Sequence, residues 1–261
     1  MRQAGIDIGS RAIKLVVRDR GVVVHRTVAD TGSDPLAVCR RLLDATAFDT
    51  ITATGYGRHL FQEHWPEASV ISEIKAVAIG AVAAIPQCRT VIDIGGQDSK
   101  AIALDGNGRV KKFAMNDRCA AGTGQFLEMM ATSLAYTREE FITAATQAEE
   151  GRKLSSLCSV FAQTEVVSLI ARGTSKETIA LGVHQAIASR TLALTRGVPV
   201  TPSVVFTGGA AHNSCLVTLI ENALKHPLHV PDSPQTVAAL GCALFRGNPE
   251  ETGHTPERKV T

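Results

Sequence analysis

At 261 residues, 44% hydrophobic and 20% charged, the chain has enough apolar material for one large core or two modest ones, as an ordinary soluble globular protein does. A formal net charge of +2 with scattered Lys and Arg argues against a polyanionic partner such as nucleic acid. The most apolar segment, Ala76 to Ile85, is about half a membrane span, and Met1 to Gly9 has no charged region leading into an apolar stretch, so a cytoplasmic location without membrane attachment is expected.

In chain order, an apolar strand ends in Ile6-Asp7-Ile8-Gly9, a second strand carries Lys14, and the turn Asp19-Arg20-Gly21 leads to a third. A helix opens at Asp34-Pro35, a short strand lies near Ile51, and an apolar helix spans about Glu73 to Ala84. The pattern then restarts. Ile92-Asp93-Ile94-Gly95, Lys100 and Asp105 stand 86 residues after Ile6-Asp7-Ile8-Gly9, Lys14 and Asp19, with Asp105-Gly106-Asn107-Gly108 as the second hairpin turn. Helices follow at roughly Thr123 to Leu134, Val160 to Arg172 and Ser175 to Arg196, the last opened by a capping box at Thr174-x-x-Glu177, with Gly173 and Gly197 as stops. Val204-Val205-Phe206 is a strand running into Thr207-Gly208-Gly209-Ala210-Ala211 and a further helix, and a last helix covers about Thr236 to Arg246.

The repeat predicts two similar α/β halves, residues 1–87 and 88–235, with a cleft between them. A helix at about 236–247 is expected to pack back on the first half, and residues 248–261 to be disordered.

An aspartate at a strand end followed by glycine sets a carboxylate beside a tight turn whose amides can approach phosphate oxygens. The carboxylate can hold Mg²⁺, usually through water. Two such loops on duplicated halves can grip one polyphosphate, and Thr207-Gly208-Gly209 at a third strand end leaves room for a base or ribose. Taken as residues alone, the same glycines also suit plain hairpin turns.

The arrangement resembles the superfamily of actin, Hsp70 and sugar kinases, with Gly5 to Ser10 as first phosphate loop, Val91 to Lys100 as second and Phe206 to Ala211 as adenosine motif. The resemblance implies two RNase H-like, actin/hexokinase-type domains with a nucleotide cleft. It implies that Asp7 and Asp93 organise Mg²⁺, that Gly9, Ser10, Gly95, Gly96 and Gln97 contact phosphate or the attacking water, and that Gly208, Gly209 and Ala210 lie along adenosine. Lys14 and Lys100 sit in the strands after the loops, where contact with phosphate and a place on a solvated sheet face are equally open, and Asp98 is undecided in the same way.

Six cysteines, at 39, 88, 119, 158, 215 and 242, form no CxxC, so most are expected to be reduced. Cys39 and Cys242 sit among apolar neighbours as small hydrophobes do. Cys119 and Cys158 each precede an apolar helical pattern, where amides and the helix dipole favour a thiolate, although a buried cysteine beside a small-residue turn fits the composition too.

Longer motifs narrow the family. Val91 to Asp98, Met115-Asn116-Asp117-Arg118-Cys119-Ala120-Ala121-Gly122-Thr123-Gly124, Cys158-Ser159-Val160-Phe161-Ala162-Gln163-Thr164-Glu165 and Thr54-Gly55-Tyr56-Gly57-Arg58 resemble the ATP-dependent activators of 2-hydroxyacyl-CoA dehydratases, the BadF/BadG/BcrA/BcrD type. That resemblance implies a homodimer in which Cys119 and Cys158 of each chain hold one shared [4Fe-4S] cluster. It also implies ATP hydrolysis that gates a low-potential electron from a ferredoxin or flavodoxin to an iron-sulfur dehydratase or reductase component. Val77, where relatives often carry His, and Gln163-Thr164-Glu165, where Glu-Ser-Glu is common, depart from the pattern away from any proposed ligand. The rival readings are a small-molecule kinase of the same superfamily, which needs an acceptor pocket, a subunit of a benzoyl-CoA reductase-like complex, and a filament-forming ATPase.

Overall fold

The computed structural model describes residues 1–117, 119–154 and 159–246. Cys158 and the tail expected to be disordered lie outside the described residues. The chain divides into two compact units, residues 1–80 with 238–246, and residues 81–237. No helix among the described residues is long and apolar enough to cross a membrane.

The first unit carries β1 (Arg2–Ile8), β2 (Ala12–Asp19), β3 (Val22–Asp30), α1 (Pro35–Asp44), β4 (Thr50–Thr54), α2 (Arg58–His64) and β5 (Ser69–Val70). Its sheet runs β3-β2-β1-β4-β5, antiparallel through the first three strands and parallel from β1 to β5. Helix α3 (Glu73–Ala84) leads to β6 (Thr90–Ile94), β7 (Ser99–Leu104) and β8 (Val110–Asn116). Then come α4 (Gly124–Ser133), α5 (Arg138–Gln147), α6 (Ser159–Ala171), α7 (Lys176–Thr195), β9 (Val204–Thr207), α8 (Ser214–Leu224), β10 (Leu228–His229) and α9 (Val237–Leu244). The second sheet, read from β8, runs β8-β7-β6-β9-β10 with the same pattern of directions.

The duplication is therefore one of topology, and it reaches into irregular detail. Each hairpin slips register once, between Val17 and Arg18 and between Ala103 and Leu104, positions 86 apart like the motifs themselves. Arg20 and Gly21 both adopt positive φ, 48° and 90°, as a two-residue hairpin turn with native twist requires. In the other copy Asp105 Oδ1 accepts from the amides of Asn107 and Arg109, so a longer turn is closed by a side chain.

Alternation places Ile6, Ile13, Leu15 and Ala53 on one face of the first sheet, with Leu42 of α1 and Phe61 of α2 packed over them. The other face sets Val16 against Ala239 and Ala243 of α9. A Cβ on Gly5 would meet the backbone of that helix, so strand and helix touch main chain to main chain. The second unit buries Ile92, Ile94 and Phe206 under Phe126, Phe141 and Val183.

Several elements differ from the sequence expectation. Helix α5 was not expected, although Thr137 and Glu140 form a capping box just ahead of the buried Phe141. Helix α2 and the two-residue strands β5 and β10 were too short to signal themselves. Helix α7 is capped by Ser175, whose side chain accepts from the Thr178 amide, rather than by Thr174. Thr174 is already engaged: its amide bonds Leu169 O while Gly173, at φ 79°, bonds Ile170 O, closing α6 in a Schellman motif.

His184 on α7 is wholly buried and accepts at Nε2 from Asn213 Nδ2, while its Nδ1–H donates to Ala180 O. Asn213 is oriented by its own task, since its Oδ1 caps α8 through the Leu216 amide. Burial lowers the His184 pKa from 6.5 to about 4, so the folded chain keeps the ring neutral where the unfolded chain protonates it. The associated stability is complete above pH 6.5 and is lost as pH falls toward 4, about 3 kcal/mol in all. Urea midpoints at pH 7.5 and pH 5 should therefore differ in the parent and converge in His184→Leu; an unchanged difference in the variant refutes the assignment to this ring.

Candidate functional site

Asp7 is the penultimate residue of β1 and faces Lys14 across the β1–β2 ladder; Asp93 is the penultimate residue of β6 and faces Lys100 in the same way. Both aspartates are buried, and Lys14 Nζ lies 2.9 Å from Asp7 Oδ2. Lys100 is completely buried, 2.6 Å from Asp98 Oδ1 and 3.4 Å from Asp93 Oδ2. This corrects the solvated-face alternative for Lys100: a fully desolvated ammonium is tolerated because two carboxylates share it.

Both loops close alike. Gly9 N bonds Ala12 O, and Gly95 N bonds Asp98 O. Ser10, Gly95, Gly96 and Asp98 are partly exposed and Gln97 is exposed, which leaves the turn between β6 and β7 open to a ligand. Thr31 Oγ1 ties down the first loop through Gly9 O.

The second loop is also fastened to a helix. Gly95 O and Gly96 O accept from the amides of Gly124 and Gln125, the first residues of α4. A Cβ on Gly124 would press on Gly95 O at 3.1 Å, so glycine permits the approach.

At the third strand end, Gly208 has φ 87° and runs so close to Ile94 O that a Cβ would collide with it. Gly209 O accepts from Arg138 Nη2 at 2.7 Å, and Ala210 is buried beneath. Arg138 was not singled out from sequence, and Thr207, whose hydroxyl donates to Asp93 Oδ1 at 2.7 Å, was read only as part of the adenosine motif. The repeated strand-end pair Thr-Gly, at Thr54-Gly55 and Thr207-Gly208, was the available signal for Thr207.

A divalent cation suits the first carboxylate. Asp7 Oδ1 is buried without a hydrogen-bond partner, an expensive arrangement unless a ligand supplies what the protein does not. Asp7 Oδ2 stays engaged by Lys14, which holds the group in place.

Cys119 is exposed, with its loop bracketed by Asn116, whose Oδ1 accepts from Cys119 N while its Nδ2 donates to Cys119 O. An exposed, positioned sulfur fits a cluster ligand. The expected helix start is corrected, however: Cys119 precedes a 3-10 turn, Ala120–Gly122, and the first amides of α4 are spent on the Gly95 and Gly96 carbonyls. Arg190 on α7 packs its stem against Gly122; burial lowers its pKa, and Cys119 acts in the opposite direction. By contrast Cys39, Cys88, Cys215 and Cys242 are buried, and desolvation pushes the first two up to about 12 and Cys215 to about 11, leaving them inert thiols.

A family model described as the BadF/BadG/BcrA/BcrD ATPase family matches residues 4–246. The chain is 41% identical over 254 residues to the activator of lactoyl-CoA dehydratase of Anaerotignum propionicum, covering 94% of this chain and 97% of that one. It superposes with TM-score 0.86 on the activator of the 2-hydroxyisocaproyl-CoA dehydratase from Clostridium difficile with bound ADPNP, at 36% identity over 94% of this chain and 93% of that one. The (R)-2-hydroxyglutaryl-CoA dehydratase component A of Acidaminococcus fermentans matches equally well, with TM-score 0.86 and 33% identity over 97% and 100% of the two chains.

Proposed function

The chain belongs to the BadF/BadG/BcrA/BcrD ATPase family, and from that premise we propose that it is an ATP-hydrolysing activator that delivers a low-potential electron to a 2-hydroxyacyl-CoA dehydratase or related CoA-ester reductase. The observation that carries the proposal is the pair of hydrogen bonds from Gly124 and Gln125 to Gly95 and Gly96. They join the loop assigned to the phosphates to the helix directly behind the Cys119 turn.

In this reading Asp7 and Asp93 orient hydrated Mg²⁺, while Gly9, Ser10, Gly95, Gly96 and Gln97 bind the phosphates or the attacking water. Gly208, Gly209 and Ala210 carry adenosine, and each of the two units brings one phosphate loop. Lys14 and Lys100 act on the carboxylates of Asp7 and Asp93, and Asp98 on Lys100, as their ion pairs support, rather than on phosphate. Departure of the γ-phosphate shifts the second loop, and α4 follows because its first turn is bonded to that loop.

Cys119 and Cys158 of two copies would together hold one [4Fe-4S] cluster, which supplies one-electron chemistry at low potential when bound. Asn116 fixes the Cys119 loop and Arg190 adds positive charge beside the sulfur. A ferredoxin or flavodoxin is the electron source, and an iron-sulfur dehydratase component the acceptor.

Protein purified and reconstituted without oxygen should contain about four irons per dimer, with a broad visible band. Cys119→Ser and Cys158→Ser should each remove the iron and leave nucleotide binding intact. Four irons retained in both variants would falsify the ligand assignment, and no iron in the parent removes the electron-transfer proposal while leaving the ATPase.

A further inference from the structure

The internal repeat extends to a third element. Asp7 lies in register with Thr54 of β4, and Asp93 with Thr207 of β9, both pairs parallel. Each threonine is fully buried and is followed by a glycine with nearly the same left-handed backbone, φ 89° at Gly55 and 87° at Gly208. Each glycine passes the same carbonyl of its own copy, Ile8 O in one and Ile94 O in the other, too closely for a Cβ. The two corners are one structure built twice.

Their hydroxyls, however, point to different partners. Thr207 Oγ1 donates to Asp93 Oδ1 at 2.7 Å, whereas Thr54 Oγ1 donates to Ile71 O at 3.0 Å, beyond the end of β5. Asp93 therefore has both oxygens engaged, Oδ1 by Thr207 and Oδ2 by Lys100. Asp7 has Oδ2 engaged by Lys14 and Oδ1 buried with no hydrogen-bond partner. The threonine's change of partner, together with Asp98, which shares Lys100 and has Ala12 as its counterpart, breaks the symmetry of the repeated site.

We infer that the two aspartates divide the labour: Asp7 Oδ1 is the open acceptor for a divalent cation or one of its waters, and Thr207 is a positioning residue that locks the Asp93 carboxylate in one rotamer. A carboxylate with one hydroxyl and one ammonium donor is fixed in position and still negatively charged, so it attracts a hydrated cation without reorganising. Thr54 takes no part in this, because its hydroxyl closes the β5 corner. The inference rests on the nucleotide reading above and refines its metal side.

The test is calorimetry of ADP binding to the full chain, in Mg²⁺ and in EDTA. Thr207→Val should lose about tenfold of the Mg²⁺-dependent tightening and keep the affinity seen in EDTA, because only the Asp93 carboxylate has loosened. Thr207→Ser should restore it, and Thr54→Val should respond to Mg²⁺ like the parent. If the valine variant does not fold, Thr207→Ala removes the same hydroxyl. A Thr207 variant with the parent's Mg²⁺ response, a serine no better than valine, or an equal loss in Thr54→Val overturns the inference. A parent that binds no nucleotide at all overturns the underlying ATPase reading instead, and with it the metal assignment.

Discussion

Asp7→Asn is expected to lower the ATP turnover rate by about two to three orders of magnitude while leaving the fold and the iron content as they are. The change removes one negative charge and no volume. An asparagine oxygen can still accept from Lys14, which now lies 2.9 Å from Asp7 Oδ2, so the β1–β2 ladder keeps its polar contact. What is lost is the anionic oxygen that faces no protein donor, Oδ1. A loss of that size corresponds to about 3 to 4 kcal/mol of transition-state stabilisation, more than a neutral hydrogen bond contributes and in the range of a charge placed at the reacting phosphates. Steady-state phosphate release in parent and variant, with a thermal melt of each, checks it. A turnover within threefold of the parent at equal stability means that Asp7 does not serve the metal. Asp93→Asn is a poorer test, since it weakens the pairing of Lys100, which has no exposure to water, and so mixes catalysis with stability.

A large effect on stability is also expected at Gly241 on α9. A Cβ there would strike the carbonyl of Ala76 on α3 and reach the Gly80 amide at 3.0 Å. Both neighbours are main-chain atoms, so no side chain can rotate away, and the helices must separate. Alanine in place of glycine inside a helix gains about 1 kcal/mol of propensity. Overpacking against backbone costs about 3 kcal/mol or more, since parting α9 from α3 also disturbs the contact of Ala239 and Ala243 with Val16. The collision wins, and Gly241→Ala should be destabilised by about 2 kcal/mol, a fall of several degrees in melting temperature. A variant as stable as the parent, or more so, would show that these helices are free to part at little cost.

Much of the molecule was legible before its structure. The 86-residue offset between Asp7 and Asp93 pointed to the duplicated sheet, because a strand that ends in Asp-x-Gly and folds back through a hairpin carries its own alternation and turn chemistry. The apolar helix from Glu73 to Ala84 was visible because buried helices are continuously apolar. The helix cap at Thr174 was misplaced because two neighbouring hydroxyl residues offered the same local signal, and the Schellman closure of α6 had already claimed the first. Helix α5 escaped notice because its outward face is polar, although its capping box stood in the sequence.

The sequence by itself determined the repeat, the hairpins, the strand-end aspartates and the motifs that identify the family, since each is a run of neighbours with a local physical cause. Only the tertiary structure decided which groups those aspartates meet. Lys100 became a buried partner of two carboxylates, and the amides opening α4 were spent on Gly95 and Gly96. Two matching Thr-Gly corners likewise sent their hydroxyls to different acceptors. Partners of this kind are set by contacts between residues up to 114 positions apart, and spacing along the chain carries no record of which donor will stand beside which oxygen once the sheet has formed.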